Sequence, residues 1–338
     1  MKVAINGFGR IGRLVFRIIE EDKDFEVVAI NDLTDSKQLA HLLKYDSSQG
    51  NYRVNDISYD NDHLIVGNKK IKVFAESDPK NLPWGELGID MVFECSGHFV
   101  TKEGANLHIE AGAEKVIVSA PCKGDVKTIV YGVNHSTLLG DESVISAASC
   151  TTNCLAPVLK VINDKFGIRR GYMTTIHAYT NDQVVLDVAH KKGIEARRGR
   201  AAALNIIPSS TGAASAVGLV IPSLNGKLKG SAMRVPVSDG SVVDLVLELS
   251  SHVSVDKIND AFLRARSNVL DATFDPIVSS DVIGSSFGSV VDLSLTDVLE
   301  TNEGQLVKIV AWYDNEMGYS HQMVRTAKYF SDVSHEIL

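Results

Sequence analysis

The stretch that most constrains the fold lies at the start of the chain. Lys2-Val3-Ala4-Ile5-Asn6 reads as a buried strand, Gly7-Phe8-Gly9-Arg10-Ile11-Gly12 as a tight turn, and residues 13–21 as a helix. A second strand, 25–30, leads into Asp32, about twenty residues past Gly12, the spacing of a dinucleotide-binding unit. In that context the glycines permit the turn, let backbone approach a pyrophosphate, and pack helix closely on strand. The acid accepts hydrogen bonds from the adenosine ribose. Arg10 and Ile11, in the turn before the helix, offer backbone N–H groups to the pyrophosphate.

Apolar strands at 90–95 and 115–119, separated by a helix at 102–111, continue the alternation. They imply a parallel sheet covered on both faces. Within it, Asn68-Lys69-Lys70 reads as a hairpin turn between two short strands. The second half differs. Alternating β-type runs from Lys229 to Ser250, another at 306–313 and an amphipathic helix at 255–267 describe a mixed or antiparallel sheet with helices on one face. The expected architecture is an α/β Rossmann-type dinucleotide-binding domain, 1–149, plus an α+β catalytic domain with a mixed or antiparallel sheet, 150–315. A length of 338 residues accommodates both.

The hexapeptide Ser149-Cys150-Thr151-Thr152-Asn153-Cys154 falls where a short strand, 143–146, gives way to a helical run, 155–166. Unpaired N–H groups and the dipole at a helix start favour negative charge. A thiol there is expected to ionise readily, with a pKa in the ~3.5–7.5 range when a protonated histidine is near. The alternative is that Cys150 and Cys154 are small packing residues. His177 closes a β-type run, 172–176, so a rigid strand can aim its imidazole at the Cys150 helix. Alone, it would read as a structural hydrogen-bonding residue.

Several stretches together carry a family likeness: Ala4-Ile5-Asn6-Gly7-Phe8-Gly9-Arg10-Ile11-Gly12, Asn31-Asp32-Leu33-Thr34-Asp35, the cysteine hexapeptide, Ile207-Pro208-Ser209-Ser210-Thr211-Gly212, Met233-Arg234-Val235-Pro236 and Trp312-Tyr313-Asp314-Asn315-Glu316. From end to end the chain resembles the phosphorylating glyceraldehyde-3-phosphate dehydrogenases. The likeness implies Cys150 as nucleophile, His177 as base, NAD as cofactor, and glyceraldehyde 3-phosphate and inorganic phosphate as substrates. It places Thr180 and Arg234 on the substrate phosphate. Arg198, Ser149, Thr151, Thr211 and the Gly212 backbone receive the attacking phosphate. Asn315 orients the nicotinamide, Ser119 lies near it, and Ser77, where many members carry Arg, lies near the adenine. A C-terminal helix, 316–338, returns to the first domain, and the assembly is a homotetramer. Asp187-Val188-Ala189-His190 departs from the Leu-Pro pair usual in NAD-specific members, and the 191–196 loop is longer than in many bacterial ones.

The chemistry suits these residues. A carbonyl carbon's own hydrogen leaves as hydride only once the carbon is tetrahedral, which thiolate addition achieves. A base then takes the hydroxyl proton. Arginine forks and hydroxyls fit phosphate. A paralogue acting on another phosphorylated aldehyde, such as erythrose 4-phosphate, and a non-catalytic NAD-binding protein are the alternatives. A formal net charge of −8 gives no general nucleic-acid or membrane footprint. Four irregularly spaced cysteines form neither a disulfide scaffold nor a zinc site. Strand character from Lys2 leaves no room for a signal peptide, so a reduced cytoplasm is expected.

Overall fold

Runs of Val, Ala and Ile that are apolar on both faces can only be buried, and they build the first sheet. The structure, a computed structural model, describes residues 1–191 and 193–335. Among these residues the chain forms two units. The first comprises Met1–Tyr131, His135–Ser149 and the chain from Ser320 onward; the second comprises Gly132–Asn134 and Cys150–Tyr319. Lys192 in the 191–196 loop and positions 336–338 of the expected last helix lie outside the described residues.

The first unit contains β1 (Lys2–Asn6), β2 (Glu26–Asn31), β3 (Ile57–Tyr59), β4 (His63–Val66), β5 (Lys69–Phe74), β6 (Met91–Glu94), β7 (Lys115–Val118), β8 (Lys127–Thr128) and β9 (Val144–Ser146). They form one sheet in the order β3-β4-β5-β2-β1-β6-β7-β9-β8. The pairs from β5 to β8 along that order are parallel, whereas β3-β4 and β4-β5 are antiparallel. Its helices include α1 (Arg10–Ile19), α2 (Ser36–Lys44), α3 (Trp84–Leu87) and α4 (Lys102–Glu110). Local caps fix their starts: Asp35 accepts the Gln38 N–H at 2.9 Å, and Thr101 the Gly104 N–H at 3.0 Å. The hairpin turn is Gly67-Asn68 rather than Asn68 to Lys70, since Val66 pairs with Lys69. Gly67, at φ 57, takes the left-handed position, so Lys69 and Lys70 join the strand.

The second unit is built on α5 (Cys150–Phe166), which begins at the cysteine itself. Against it lie β10 (Ile168–Ala178), β11 (Ile207–Ser209), β12 (Leu228–Val235), β13 (Ser241–Leu249), β14 (Leu270–Thr273), β15 (Ser289–Asp292), β16 (Asp297–Thr301) and β17 (Gly304–Tyr313). The sheet order is β11-β12-β10-β13-β17-β15-β14, with β16 on β17. It is mixed: β10-β12 and β14-β15 are parallel, the other pairs antiparallel. Helices α6 (Ala213–Val220) and α7 (Val255–Arg264) complete its layer. Alternation along β13 turns Val243, Leu245 and Leu247 into a core with Leu155, Val158, Leu159 and Ile162 of α5. Each such buried aliphatic side chain contributes about 1.5–3 kcal/mol relative to exposure.

The last helix, α8 (Met317–His335), runs from the second unit into the first. Within the first unit Gln322 Nε2 donates to the Tyr131 carbonyl at 3.2 Å, and Lys115 Nζ lies 5.0 Å from the Phe330 ring centroid. Among the described residues no helix is long and apolar enough to cross a membrane.

Candidate active site

In the first unit the glycine turn closes over the C-terminal ends of β1 and β6. Gly7 has φ 89, and a side chain there would lie 2.6 Å from the Ser96 backbone. A Cβ on Gly12 would strike the Gly7 carbonyl at 2.1 Å. Gly9 is different, because a Cβ built on it meets nothing within 4 Å. It caps α1 without a side-chain hydrogen bond, so no side chain at the cap covers the start of that helix. An anionic pyrophosphate fits such a place. Asp32 accepts the Phe8 N–H at 2.7 Å and the Thr34 N–H at 2.9 Å. Those two bonds fix the carboxylate and leave lone pairs for two ribose hydroxyls. Arg10 also binds Asp46 through its guanidinium, and Ile11 is partly buried in the same turn of helix. The Ser119 N–H donates to the Glu94 carbonyl at 2.9 Å, just past β7. Ser77 is exposed in the bend after β5.

The chemistry-bearing groups of the second unit converge on the first residue of α5. Ala148 adopts φ 59, uncommon for a residue with a Cβ, and its N–H is held by Ser146 Oγ at 3.1 Å. That kink lets the strand stop at Ser146 and the helix begin at Cys150, with Ser149 between. Cys150 Sγ lies 3.5 Å from His177 Nε2 and 4.0 Å from Thr151 Oγ1. His177 Nδ1 lies 2.7 Å from the Ala178 carbonyl and 3.0 Å from Arg234 Nη1. The carbonyl only accepts and also takes the Arg234 N–H, so we assign the ring proton to Nδ1, which leaves the Nε2 lone pair toward the sulfur. In the parallel pairing of β10 with β12, His177 stands opposite Arg234, which places both side chains on one face. Arg234 Nη1 donates to that same carbonyl at 2.8 Å and to Thr180 Oγ1 at 3.1 Å. Its buried Nε has no hydrogen-bond partner among the described residues. A buried, unsatisfied cationic donor is what an anionic ligand would complete.

The chain of contacts continues outward. Thr180 donates to one oxygen of Asp182, and Arg198 donates to the other. Thr211 and Gly212 stand apart from these bonds, at the start of α6, where Thr211 Oγ1 accepts the Ala213 N–H at 3.2 Å. Asn315 is buried, its Oδ1 accepting from Ser241 Oγ at 2.7 Å. Ser241 Oγ in turn accepts the Ala178 N–H at 3.0 Å, so Asn315 is tied to the strand end that carries His177.

The electrostatics differ from the sequence expectation. Burial pushes the Cys150 thiol up, against the pull of Arg234, the Thr151 hydroxyl and nearby N–H groups. Burial, and then the Arg234 charge, push His177 down to about 3. The resting pair is therefore a thiol facing a neutral imidazole rather than a thiolate facing an imidazolium. Desolvation outweighs the helix start, and the permanent positive charge comes from Arg234. Cys154 is buried in the core, and burial pushes its thiol well up. Burial would raise Asp182, yet the Thr180 hydroxyl and Arg198 hold it below the usual carboxylate range. Burial, and then the acids Asp314 and Glu316, push the Asp239 carboxyl well up from its ordinary range.

Three groups in this site escape sequence reasoning. Tyr313 bridges Thr151 and Thr175, its hydroxyl 2.9 Å from each Oγ1, with its ring edge-on to His177. Asp182 joins Thr180 to Arg198, and Ser241 anchors Asn315. Tyr313 lies inside a motif stretch, two residues before Asn315, and Asp182 lies two residues past Thr180. Proximity to assigned positions is the signal that could have found them.

Two family models match the chain. Residues 1–102 match "Glyceraldehyde 3-phosphate dehydrogenase, NAD binding domain", and residues 149–315 match "Glyceraldehyde 3-phosphate dehydrogenase, C-terminal domain". Similar curated proteins include the glyceraldehyde-3-phosphate dehydrogenase of Clostridium pasteurianum, 58% identical over 333 residues, covering 98% of this chain and 99% of the relative. That of Streptococcus pyogenes is 54% identical over 335 residues, 99% of each chain.

Proposed function

Since the chain belongs to the glyceraldehyde-3-phosphate dehydrogenase family, we propose that it oxidises glyceraldehyde 3-phosphate with NAD and inorganic phosphate to 1,3-bisphosphoglycerate, as a glycolytic enzyme. The observation that carries the assignment of its chemistry is the 3.5 Å approach of Cys150 Sγ to His177 Nε2, with Arg234 in register beside it. As the sulfur attacks the aldehyde carbon, its proton passes to His177 Nε2 and on to the carbonyl oxygen, giving a thiohemiacetal. His177 then takes the hydroxyl proton as hydride departs, and the thioester forms. NAD supplies the hydride acceptor. Phosphate attack on the thioester makes the carbon–oxygen bond and breaks the carbon–sulfur bond. The leaving sulfur recovers its proton from His177.

Two anion sites serve this sequence. Arg234 and Thr180 hold the substrate phosphate, where the unpartnered Nε supplies a donor. Arg198, Ser149, Thr151, Thr211 and the Gly212 N–H receive inorganic phosphate, and Asp182 links Thr180 to Arg198 between the two sites. Arg198→Ala is expected to raise the KM for phosphate about tenfold or more, the worth of one or two charge-assisted hydrogen bonds, while moving the aldehyde KM less than threefold. Steady-state assays varying each substrate in turn check this. Equal rates without phosphate, with the carboxylic acid as product, would refute the phosphorylating reaction. The same assay with erythrose 4-phosphate tests the paralogue reading.

Asp32 sets cofactor choice. A 2′-phosphate would meet its carboxylate as a like charge, at a cost of about several kcal/mol. Leu33 beside it is exposed and uncharged and offers no positive charge to compensate. Asp32→Gly should therefore lower kcat/KM for NAD by roughly 10–100-fold and raise it for NADP, the trade expected when ribose bonds and charge repulsion vanish together. An unchanged preference in the variant would overturn the role given to Asp32. Asn315 and Ser119 serve the nicotinamide end, and Ser77 the adenine end.

Exposed apolar side chains on the second sheet, Tyr172, Val246, Leu299 and Leu306, support association of copies, and a homotetramer is the proposed state. Sedimentation equilibrium tests it. The absence of a disulfide scaffold in the sequence supports a cytoplasmic setting.

A further inference from the structure

We infer that Glu94, at the end of β6, is a positioning residue for the dinucleotide, holding both halves of its binding surface in one buried network. The inference rests on the reading of the first unit as the NAD-binding unit. Asn31, Asn6 and Glu94 are register partners across the adjacent strands β2, β1 and β6, forming one polar row at their C-terminal ends. All three are buried, Glu94 completely. Asn31 Nδ2 donates to Asn6 Oδ1 at 2.7 Å, and Asn6 Nδ2 donates to Glu94 Oε2. His108 Nε2 donates to the same oxygen at 2.9 Å. That direction is fixed because His108 Nδ1 accepts the Trp84 indole N–H at 3.0 Å. The other oxygen, Oε1, accepts the Ser96 N–H at 2.8 Å and the Ser96 hydroxyl. Four donors and no acceptor surround the group, the inventory that suits a carboxylate.

Each partner is the neighbour of a cofactor-facing element. Asn6 precedes Gly7, whose close approach to Ser96 sets the glycine turn. Asn31 precedes Asp32, and its amide is further locked by the Glu76 N–H and carbonyl, both at 2.9 Å. The glycine turn and the acid that ends β2 thus hang from one fully buried carboxylate, both of whose oxygens are taken by protein donors. A glutamine cannot replace it. Turned toward Asn6 and His108, its amide nitrogen would meet two donors; turned toward Ser96, it would still meet the backbone N–H even with the hydroxyl rotated to accept. Buried networks of this kind lose more than one bond when one member changes.

The test is Glu94→Gln in the full chain, with NAD affinity by titration calorimetry, the rise in unfolding temperature on adding saturating NAD, and steady-state constants. The expected result is an NAD dissociation constant weaker by about tenfold, the size of one lost charge-assisted hydrogen bond. The NAD-induced rise in Tm should shrink, KM for NAD should rise, and kcat and the aldehyde KM should hold within twofold. A merely structural role predicts a lower Tm with NAD affinity within twofold of the parent, and that result would overturn the inference. Should Glu94→Gln fail to fold, Ser96→Ala keeps the carboxylate and removes one hydroxyl donor. It should weaken NAD by about threefold, a modest hydrogen bond's worth, and no change in affinity would count against Glu94 equally. A parent protein that takes up no NAD would overturn the cofactor assignment itself, and this inference with it.

Discussion

Replacing Cys150 by serine should cut turnover by about 10⁴-fold or more, the scale seen when a covalent nucleophile is removed from a site that acts as a unit. The sulfur's value here lies in matched acidity. Its thiol, although pushed up by burial, faces a neutral imidazole 3.5 Å away and the fixed charge of Arg234. A serine hydroxyl in the same place would have to surrender a far less acidic proton to a histidine already pushed down to about 3. NAD affinity should stay within a few-fold of the parent, because the glycine turn and Asp32 belong to the first unit. Cys154→Ser should keep most activity, since that thiol lies in the core with its sulfur toward the Ala311 carbonyl. Burst kinetics and mass spectrometry of the acyl-enzyme measure both variants. Iodoacetamide labelling that inactivated the enzyme at Cys95, Cys122 or Cys154 and spared Cys150 would refute the assignment.

What the sequence revealed follows the range of the interactions involved. The glycine turn was legible because its causes are local: Gly7 needs a positive φ and Gly12 needs the absence of a Cβ within five residues of chain. The strand-to-helix break at the hexapeptide was legible for the same reason, but α5 begins at Cys150 rather than Leu155, because the left-handed Ala148, not a residue that announces a kink, turns the chain early. The hairpin was misplaced by one or two positions because Gly67 and Asn68 both suit a turn, and only the Val66–Lys69 pairing decides between registers. The juxtaposition of His177 with Arg234 is a property of parallel register between strands 57 residues apart, which periodicity cannot supply. Motif likeness assigned both residues without explaining why they meet.

The charge state of the site was the least legible part. A cysteine at a helix start reads as a lowered pKa when only the chain nearby is considered. The opposite direction arises from burial of the sulfur, and its neighbours His177 and Arg234 are distant in sequence. Likewise Glu94 carries no motif, and its significance appears only when Asn6, Asn31, Ser96 and His108 are seen to converge on it.

His177→Asn should lower kcat by roughly 10²–10⁴-fold, the usual worth of a positioned general base. Asparagine can keep a hydrogen bond to the Ala178 carbonyl but cannot receive a proton from the sulfur or the thiohemiacetal hydroxyl. The pH behaviour separates this role from a packing role. His177 is pushed from 6.5 down to about 3 by burial and Arg234. As pH falls from 6.5 toward 3, the unfolded chain binds a proton at this position and the folded chain does not. Stability contributed by the neutral ring is therefore present above pH 6.5 and is lost progressively across that window. The same shift removes any acid limb from His177 in kcat/KM of the free enzyme above pH 4. The asparagine variant lacks this titration, so its urea midpoint should decline less between pH 7 and pH 4.5 than the parent's. Its residual rate should also be low at both pH values. A variant that kept more than a tenth of the parent rate, or lost stability in parallel with the parent through that window, would mean that His177 is neither the base nor a buried neutral imidazole.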